Sequence, residues 1–399
     1  MKFGISGLST TGNIRAACGV AGLDTSGARM LAAAVPDLHA LKERDALVHT
    51  GIERMGDRAA RSAWGKGVWF ADFAYITAKE GGGIRWREGR DKTLARPHRA
   101  LPLFVDSCGY RREITGTAPK WAHEFEVYPQ ALELLDPDGY AAWDYPNDRQ
   151  ASMESLRELM KIFPQDVSNG KLWPVFSVRW TFNDRAHLDM AQLPAWRGRD
   201  LSTLIPLTGT QKPFKRETRE EWARMAIANA LRMGADPDFK WMCQTFGRVM
   251  IGGLVMSQVP RMARHLLAAA LCHLYPDVQF WLLGQANFAV INGLGSLGLL
   301  EKVWTDGSWY IKDATAERFA VVENGLITMY EASRERMRNR HTFFTFHELL
   351  AANLRSLLAA YQGLWSWPPP EPLPLDLFDV EQAKEMKTRL QMAQLELGL

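Results

Sequence analysis

Cysteine is scarce: Cys18, Cys108, Cys243 and Cys272 are the only four in 399 residues, and no Cys-x-x-Cys occurs. That excludes the common structural zinc spacings and a thioredoxin-like redox pair. The scattered positions form no disulfide framework, so reduced thiols and a cytoplasmic protein are expected. An excess of one charge is also missing. Lys and Arg number 48 against 45 Asp and Glu, a formal net charge of +3. By itself that surplus identifies no nucleic-acid partner, and the distribution of charge carries the question instead. No uninterrupted apolar run reaches about 18 residues, so no membrane span is expected. Met1-Lys2-Phe3-Gly4-Ile5-Ser6 has no long apolar core after its single Lys, so no secretory leader is expected either. There is no internal repeat.

What is present suits a large globular core, with 47% hydrophobic and 23% charged residues. The 15 Trp are good stacking surfaces for bases and equally good core fillers. Length alone suggests two or three domains at roughly 150 residues each, although an α/β barrel occupies ~250 residues as one unit. Eight strand-like runs stand out, at roughly 46–52, 67–78, 103–108, 140–145, 173–178, 248–255, 278–285 and 302–309. Most are continuous apolar runs rather than alternations, as parallel strands covered on both faces require. Helical patterns fall at 150–163, 258–275 and 287–300, and Thr218-Arg219-Glu220-Glu221 reads as a capping box opening a helix through about Met233.

Strands alternating with helices predict an α/β fold, and eight of them predict a closed (β/α)₈ TIM barrel, with an open doubly wound sheet as the alternative. The barrel is expected over 46–362, interrupted by a Pro- and Gly-punctuated insertion at 184–217. Residues 1–45 form an N-terminal extension without a clear reading. Residues 363–399 comprise a Pro-rich linker and a C-terminal amphipathic helix.

Functional side chains of a barrel sit where strands end. Three runs finish in an Asp: Phe104-Val105-Asp106, Ala142-Trp143-Asp144 and Val303-Trp304-Thr305-Asp306. A carboxylate leaving a buried strand is desolvated unless it has a partner or a task. Each alone is equally a helix N-cap or a turn residue. Three on strands that converge on one mouth point to a site.

Four segments, in order, carry a family resemblance over about 103–309. Asp106-Ser107-Cys108-Gly109-Tyr110 resembles the Asp-Ser-Gly-Gly-Phe signature of tRNA-guanine transglycosylases. Arg248-Val249-Met250-Ile251-Gly252-Gly253-Leu254 resembles their Ile-Gly-Gly-Leu segment, and Leu282-Leu283-Gly284 resembles the next strand. Val303-Trp304-Thr305-Asp306-Gly307-Ser308-Trp309 resembles the strand with the catalytic Asp. Its form, with Ala142-Trp143-Asp144-Tyr145-Pro146, is closer to the DpdA-type DNA-guanine transglycosylases.

The resemblance implies a DNA-guanine transglycosylase that exchanges guanine for a free 7-deazaguanine base such as preQ0. A zinc-free tRNA enzyme, a non-catalytic nucleic-acid-binding subunit on the same barrel and a purely hydrolytic glycosylase are alternatives. It implies Asp306 as nucleophile on the sugar carbon, forming a covalent glycosyl intermediate, and Asp106 as general acid/base. Asp106 then needs its pKa raised by burial or a nearby carboxylate. Asp144 with Ser107 would read the guanine edge, and the Gly252-Gly253 pair would admit backbone amides close to the base; a bulge or tight strand end explains such a pair equally. Tyr110 or Trp143 would stack on it, or belong to the core. The family's usual strand-five Gln is missing, and Arg179 or Ser177 stands nearby to replace it. The family's Cys₃His zinc site is absent too: no Cys follows Cys272, and His341 and His347 alone do not make one. No zinc subdomain, metal or cofactor is expected.

Two basic runs flank the presumed site, one with Arg85, Arg87 and Arg90 and the other with Arg336, Arg338 and Arg340. They are candidate phosphate contacts or simply solvated faces. A duplex target must be opened and its nucleotide flipped out, so partner proteins that open DNA are compatible with the chain. The Gly81-Gly82-Gly83 loop is a candidate moving element.

Overall fold

A computed structural model describes most of residues 139–332, apart from 188–199, 207–213 and single positions at 256, 286, 301 and 308. Outside that span it describes residues 2–5, 70–72, 78–79, 83–84 and 104–107, with short pieces between 109 and 133 and between 348 and 356. The strands are β1 (Lys2–Ile5), β2 (Phe70–Asp72), β3 (Ala78–Lys79), β4 (Gly83–Ile84), β5 (Phe104–Asp106) and β6 (Gly139–Ala141). They continue with β7 (Leu172–Trp173), β8 (Val175–Ser177), β9 (Arg248–Gly252), β10 (Gln279–Leu282), β11 (Val303–Gly307), β12 (Arg318–Glu323) and β13 (Leu326–Glu331). The helices used below are α1 (Arg149–Ile162), α2 (Pro164–Ser168), α3 (Arg216–Ala235), α4 (Pro237–Phe246), α5 (Arg264–Leu274), α6 (Phe288–Ser296) and α7 (Trp309–Thr315). The chain is therefore mixed α/β, and no helix among the described residues is long and apolar enough to cross a membrane.

Two parallel sheets carry the architecture, with orders β2-β5-β6-β7 and β1-β11-β10-β9-β8. They meet in one stretch of chain. β7 pairs with β6 and β8 pairs with β9, and only Pro174 separates β7 from β8. A proline has no N–H to give to a ladder, so pairing changes sides there. Its carbonyl still accepts from Met250 N at 2.8 Å. Counting 172–177 as one strand, the order follows the sequence from β2 to β11. β1, first in the chain, lies at the far end beside β11.

Side chains alternate across each strand, and the two faces pack differently. Tyr140, Leu172, Phe176, Val249, Ile251, Phe280, Leu282 and Val303 join the main core beneath the helices. Ala141, Trp173, Val175, Met250 and Trp281 form a second cluster on the other face, with Leu283 and Trp304 packed against it. Trp281 stacks on Trp304 at 4.9 Å, and Trp173 meets Trp304 edge-on at 5.9 Å. Trp173 and Trp304 stand three strand spacings apart, about 14 Å across a flat sheet. Their approach makes the tryptophan-bearing face concave. Arg248 covers the amino end of this layer. Its guanidinium lies 5.7 Å from the Trp173 ring and donates to Gly170 O.

Several elements differ from the sequence reading. The expected first strand, 46–52, lies outside the described residues, as do residues 363–399; β1 falls within the segment that had no reading. Within the run 67–78 the described residues are those of the short β2 and Ala78, which belongs to β3 and so to an antiparallel pair with β4. α3 begins at Arg216, ahead of the expected Thr218 box, and its N-cap Lys215 makes no side-chain cap bond. Beside this start stand the Arg216–Asp200 ion pair at 2.9 Å and Phe214 packed on Trp222 at 4.6 Å. The hairpin β12–β13 was not expected. Its turn is Asn324-Gly325, both at positive φ (51° and 75°), as a two-residue type I′ turn requires.

His265 lies wholly buried in α5, and its Nε2 is 2.9 Å from Leu204 O. Gly293 in α6 leaves room for the ring, since a Cβ there would fall on it. Gly293→Ala is therefore expected to cost roughly 1–3 kcal/mol of stability by overpacking. A urea midpoint unchanged by that substitution would contradict this packing. Burial also pushes the His265 pKa down to about 4. The unfolded chain binds a proton near pH 6.5 that the folded chain resists, so stability is lost as pH falls from about 6.5 toward 4. Urea titrations at stepped pH should show this slope, and His265→Gln should flatten it.

Candidate active site

All pairs within the two large sheets are parallel, so their strands end on one edge. Asp106 closes β5, half-buried, and its Oδ1 accepts from Ser107 N at 2.9 Å. Ser107 is fully buried and its hydroxyl donates to Asp144 Oδ1. The Gly109 amide approaches the same hydroxyl at 3.4 Å. Any Cβ at Gly109 would fall on the Asp144 carboxylate, so a larger residue there would have to displace that side chain. Two of the predicted carboxylates are thus joined through one serine.

Asp144 sits on the segment that continues from β6. That segment is tied down by Ser152 Oγ, which accepts from Tyr145 N at 2.8 Å, and by Ser155 Oγ, which donates to Trp143 O at 2.5 Å. The start of α1 is fixed in turn, because Arg149 bonds Asp236 at 2.7 Å and Asp238 at 2.6 Å. Trp143 is not a stacking surface for a ligand. It is fully buried in the core against Tyr128 at 5.3 Å and Phe125 at 5.9 Å. Asn147, on the same segment, accepts from the Arg179 guanidinium, and Trp180 Nε1 donates to Pro146 O at 3.2 Å. The ends of β6 and β8 are linked by these contacts.

Arg179 and Ser177 part company here. Arg179 is exposed on the 3₁₀ turn after β8 and holds Asn147. Ser177 is 2% exposed, aligns with Gly252 and has the strand parity of the tryptophan layer, through Val175. Its hydroxyl makes no hydrogen bond among the described residues. Gly253 has φ 74°, and a Cβ there would stand 2.6 Å from Ser177 Oγ and 3.3 Å from Arg179 Cγ. Of the pair, Gly253 needs to be glycine on two grounds, conformation and approach.

The backbone of β11 aligns Asp306 with Gly4 of β1, two residues beyond Trp304. Strand alternation therefore assigns positions 106, 177, 252 and 306 to the concave face at its carboxyl end. Asp72 ends β2 in register with Asp106. Its signal in the sequence is the same as for the others, an apolar run closed by Asp, but it lies inside the longer run 67–78. Arg85, Arg87, Arg90, Arg336, Arg338 and Arg340, with Tyr110, His341 and His347, lie outside the described residues. Among the described residues no group of three His, Cys, Asp or Glu is placed to hold a metal ion.

No protein-family model matches the chain, and no curated protein matches it.

A buried hydroxyl kept without a partner is a cost to the fold, whereas a glycine at positive φ is a need of it. Ser177→Ala is thus expected to leave the melting temperature unchanged or higher, while Gly253→Ala lowers stability by roughly 1–3 kcal/mol. Calorimetry on both variants tests the distinction; a Ser177→Ala protein as destabilised as Gly253→Ala would assign Ser177 to structure alone.

Proposed function

We propose that this chain is a guanine transglycosylase acting on DNA, exchanging guanine for a free 7-deazaguanine base, on a closed (β/α)₈ barrel. The observation that carries the reading is the common polarity of the strands ending at Asp106 and Asp306, two acids distant in sequence that share one edge and one strand parity. The barrel is supported by β1 lying beside β11 and by the concave tryptophan face.

Asp306 attacks the sugar carbon as guanine leaves, and the covalent ester is opened by the incoming base, so two inversions retain configuration. Asp106 gives a proton to departing guanine and takes one from the incoming base. Asp144, held by Ser107, accepts from the base's N–H edge, and Ser177 with the Gly253 amide faces its carbonyl edge. The nucleotide has to leave the stack to reach the acids, so the duplex is opened first, by this chain or by a partner.

Pure protein incubated with plasmid DNA, bulk tRNA and preQ0 is expected to incorporate the deazaguanine into DNA, read by mass analysis of nucleosides. Asp306→Asn should abolish the covalent adduct with DNA, and Asp106→Asn should slow exchange by about 10²–10⁴-fold. An adduct that survives Asp306→Asn would refute the nucleophile. Incorporation into tRNA alone would transfer the activity to that polymer, and release of guanine without uptake would make the protein a glycosylase.

A further inference from the structure

Past β11 the chain turns into α7 at Trp309, whose indole N–H donates to Gly284 O at 2.9 Å, fixing the ring at the end of β10. Two cations lie over that ring. The Arg261 guanidinium, from the turn after β9, is 4.7 Å from its centroid, and the Lys312 ammonium is 5.2 Å away. Both residues are exposed, and neither side chain makes an ion pair or hydrogen bond among the described residues.

The described surroundings do not balance these charges. Arg264, next to this turn, is buried and among the described residues is bonded only to neutral groups, Val259 O at 3.1 Å and Gln285 Oε1 at 2.8 Å. Its pKa is lowered to about 10, by burial first and then by repulsion from Arg261. Asp313 is the carboxylate that feels Arg318, Arg261 and Lys312, and its ion pair, at 3.5 Å, is with Arg318. Among the described residues three cations, Arg318, Arg261 and Lys312, thus act on this one acid. Like charges held together destabilise a fold unless an anion joins them. An aromatic ring beside a pair of cations is also the pattern by which single strands are held, phosphates on the cations and a sugar or base on the ring.

The elements that carry the patch fix its place. Arg261 follows β9, Gly284 follows β10 and Trp309 follows β11, so all three belong to the carboxyl edge where Asp306 ends its strand. We propose that Arg261 and Lys312, gathered on Trp309, bind the phosphodiester backbone of a single strand next to the nucleotide being processed. This rests on the reading of the protein as one that acts on nucleic acid, but not on base exchange.

The test is the salt dependence of binding to a labelled single-stranded DNA oligonucleotide, followed by fluorescence anisotropy. Each phosphate contact to a single strand contributes about −0.7 to the slope of log K against log salt concentration. Arg261→Gln and Lys312→Gln are each expected to reduce the slope by about 0.7, and the double variant by about 1.4. Lys161→Gln, an exposed cation on α1 paired with Glu158, should leave the slope as it is. Slopes unchanged in both Arg261→Gln and Lys312→Gln, or no binding by the unaltered protein at low salt, would overturn the proposal. Deazaguanine uptake is measured on the same samples. Reduced slopes without any exchange would keep the binding patch and remove the transglycosylase; exchange with unchanged slopes would do the reverse.

Discussion

β11 lies between β1 and β10, paired in parallel with both. A strand flanked on each side has its backbone groups spent in ladders, so its register is held from two directions. Without β1, β11 would be an edge strand with one row of unpaired amides, and Asp306 would stand at a sheet margin. The four residues Lys2–Ile5 thus do more than start the chain: they convert the last strand of the series into an interior one. The alignment of Gly4 with Asp306 puts the smallest residue beside the acid, which limits crowding at that height of the strands.

The concave face is filled in layers. Trp173, Trp281 and Trp304 occupy its middle, Arg248 its amino end, and Ser177, Gly252 and Leu283 its carboxyl end. Large rigid rings lie below, and the serine and glycine above them carry little side-chain volume. The loop segment 142–147 forms one wall. It joins Ser107 at one end, through Asp144, to Arg179 at the other, through Asn147. Serines of α1 hold the wall from behind, so a helix with no residue in the site nevertheless sets its geometry.

Legibility followed burial. β9, β10 and β11 are short apolar runs closed on both faces, and such runs announce themselves in the sequence. β1 does not, because Lys2-Phe3-Gly4-Ile5 becomes a strand only through its pairing with β11. Asn324-Gly325 carried a hairpin signal that a search for parallel strands passes over. Strand-end acids were readable one by one, but not which of them shares Ser107, since that depends on how two loops fold together. That Ser177 takes the parity of the tryptophan layer while Arg179 lies exposed on the following 3₁₀ turn depends on the position at which β8 begins. Lys312 lies one helical turn from Trp309 in α7, a spacing the sequence shows, but the arrival of Arg261 on the same ring had no sequence signature, because it comes from a distant turn.

Pro174 has a consequence for assembly of the whole array. It is the point at which one strand hands over from β6 to β9, so a slip of a single residue there would be felt in both sheets at once. Trp173 and Phe176 would change places between the inner layer and the helix-covered core, two errors from one shift. A ring that cannot donate marks the handover position unambiguously, and the two halves of the molecule are thereby kept in step by an amide hydrogen that is not there.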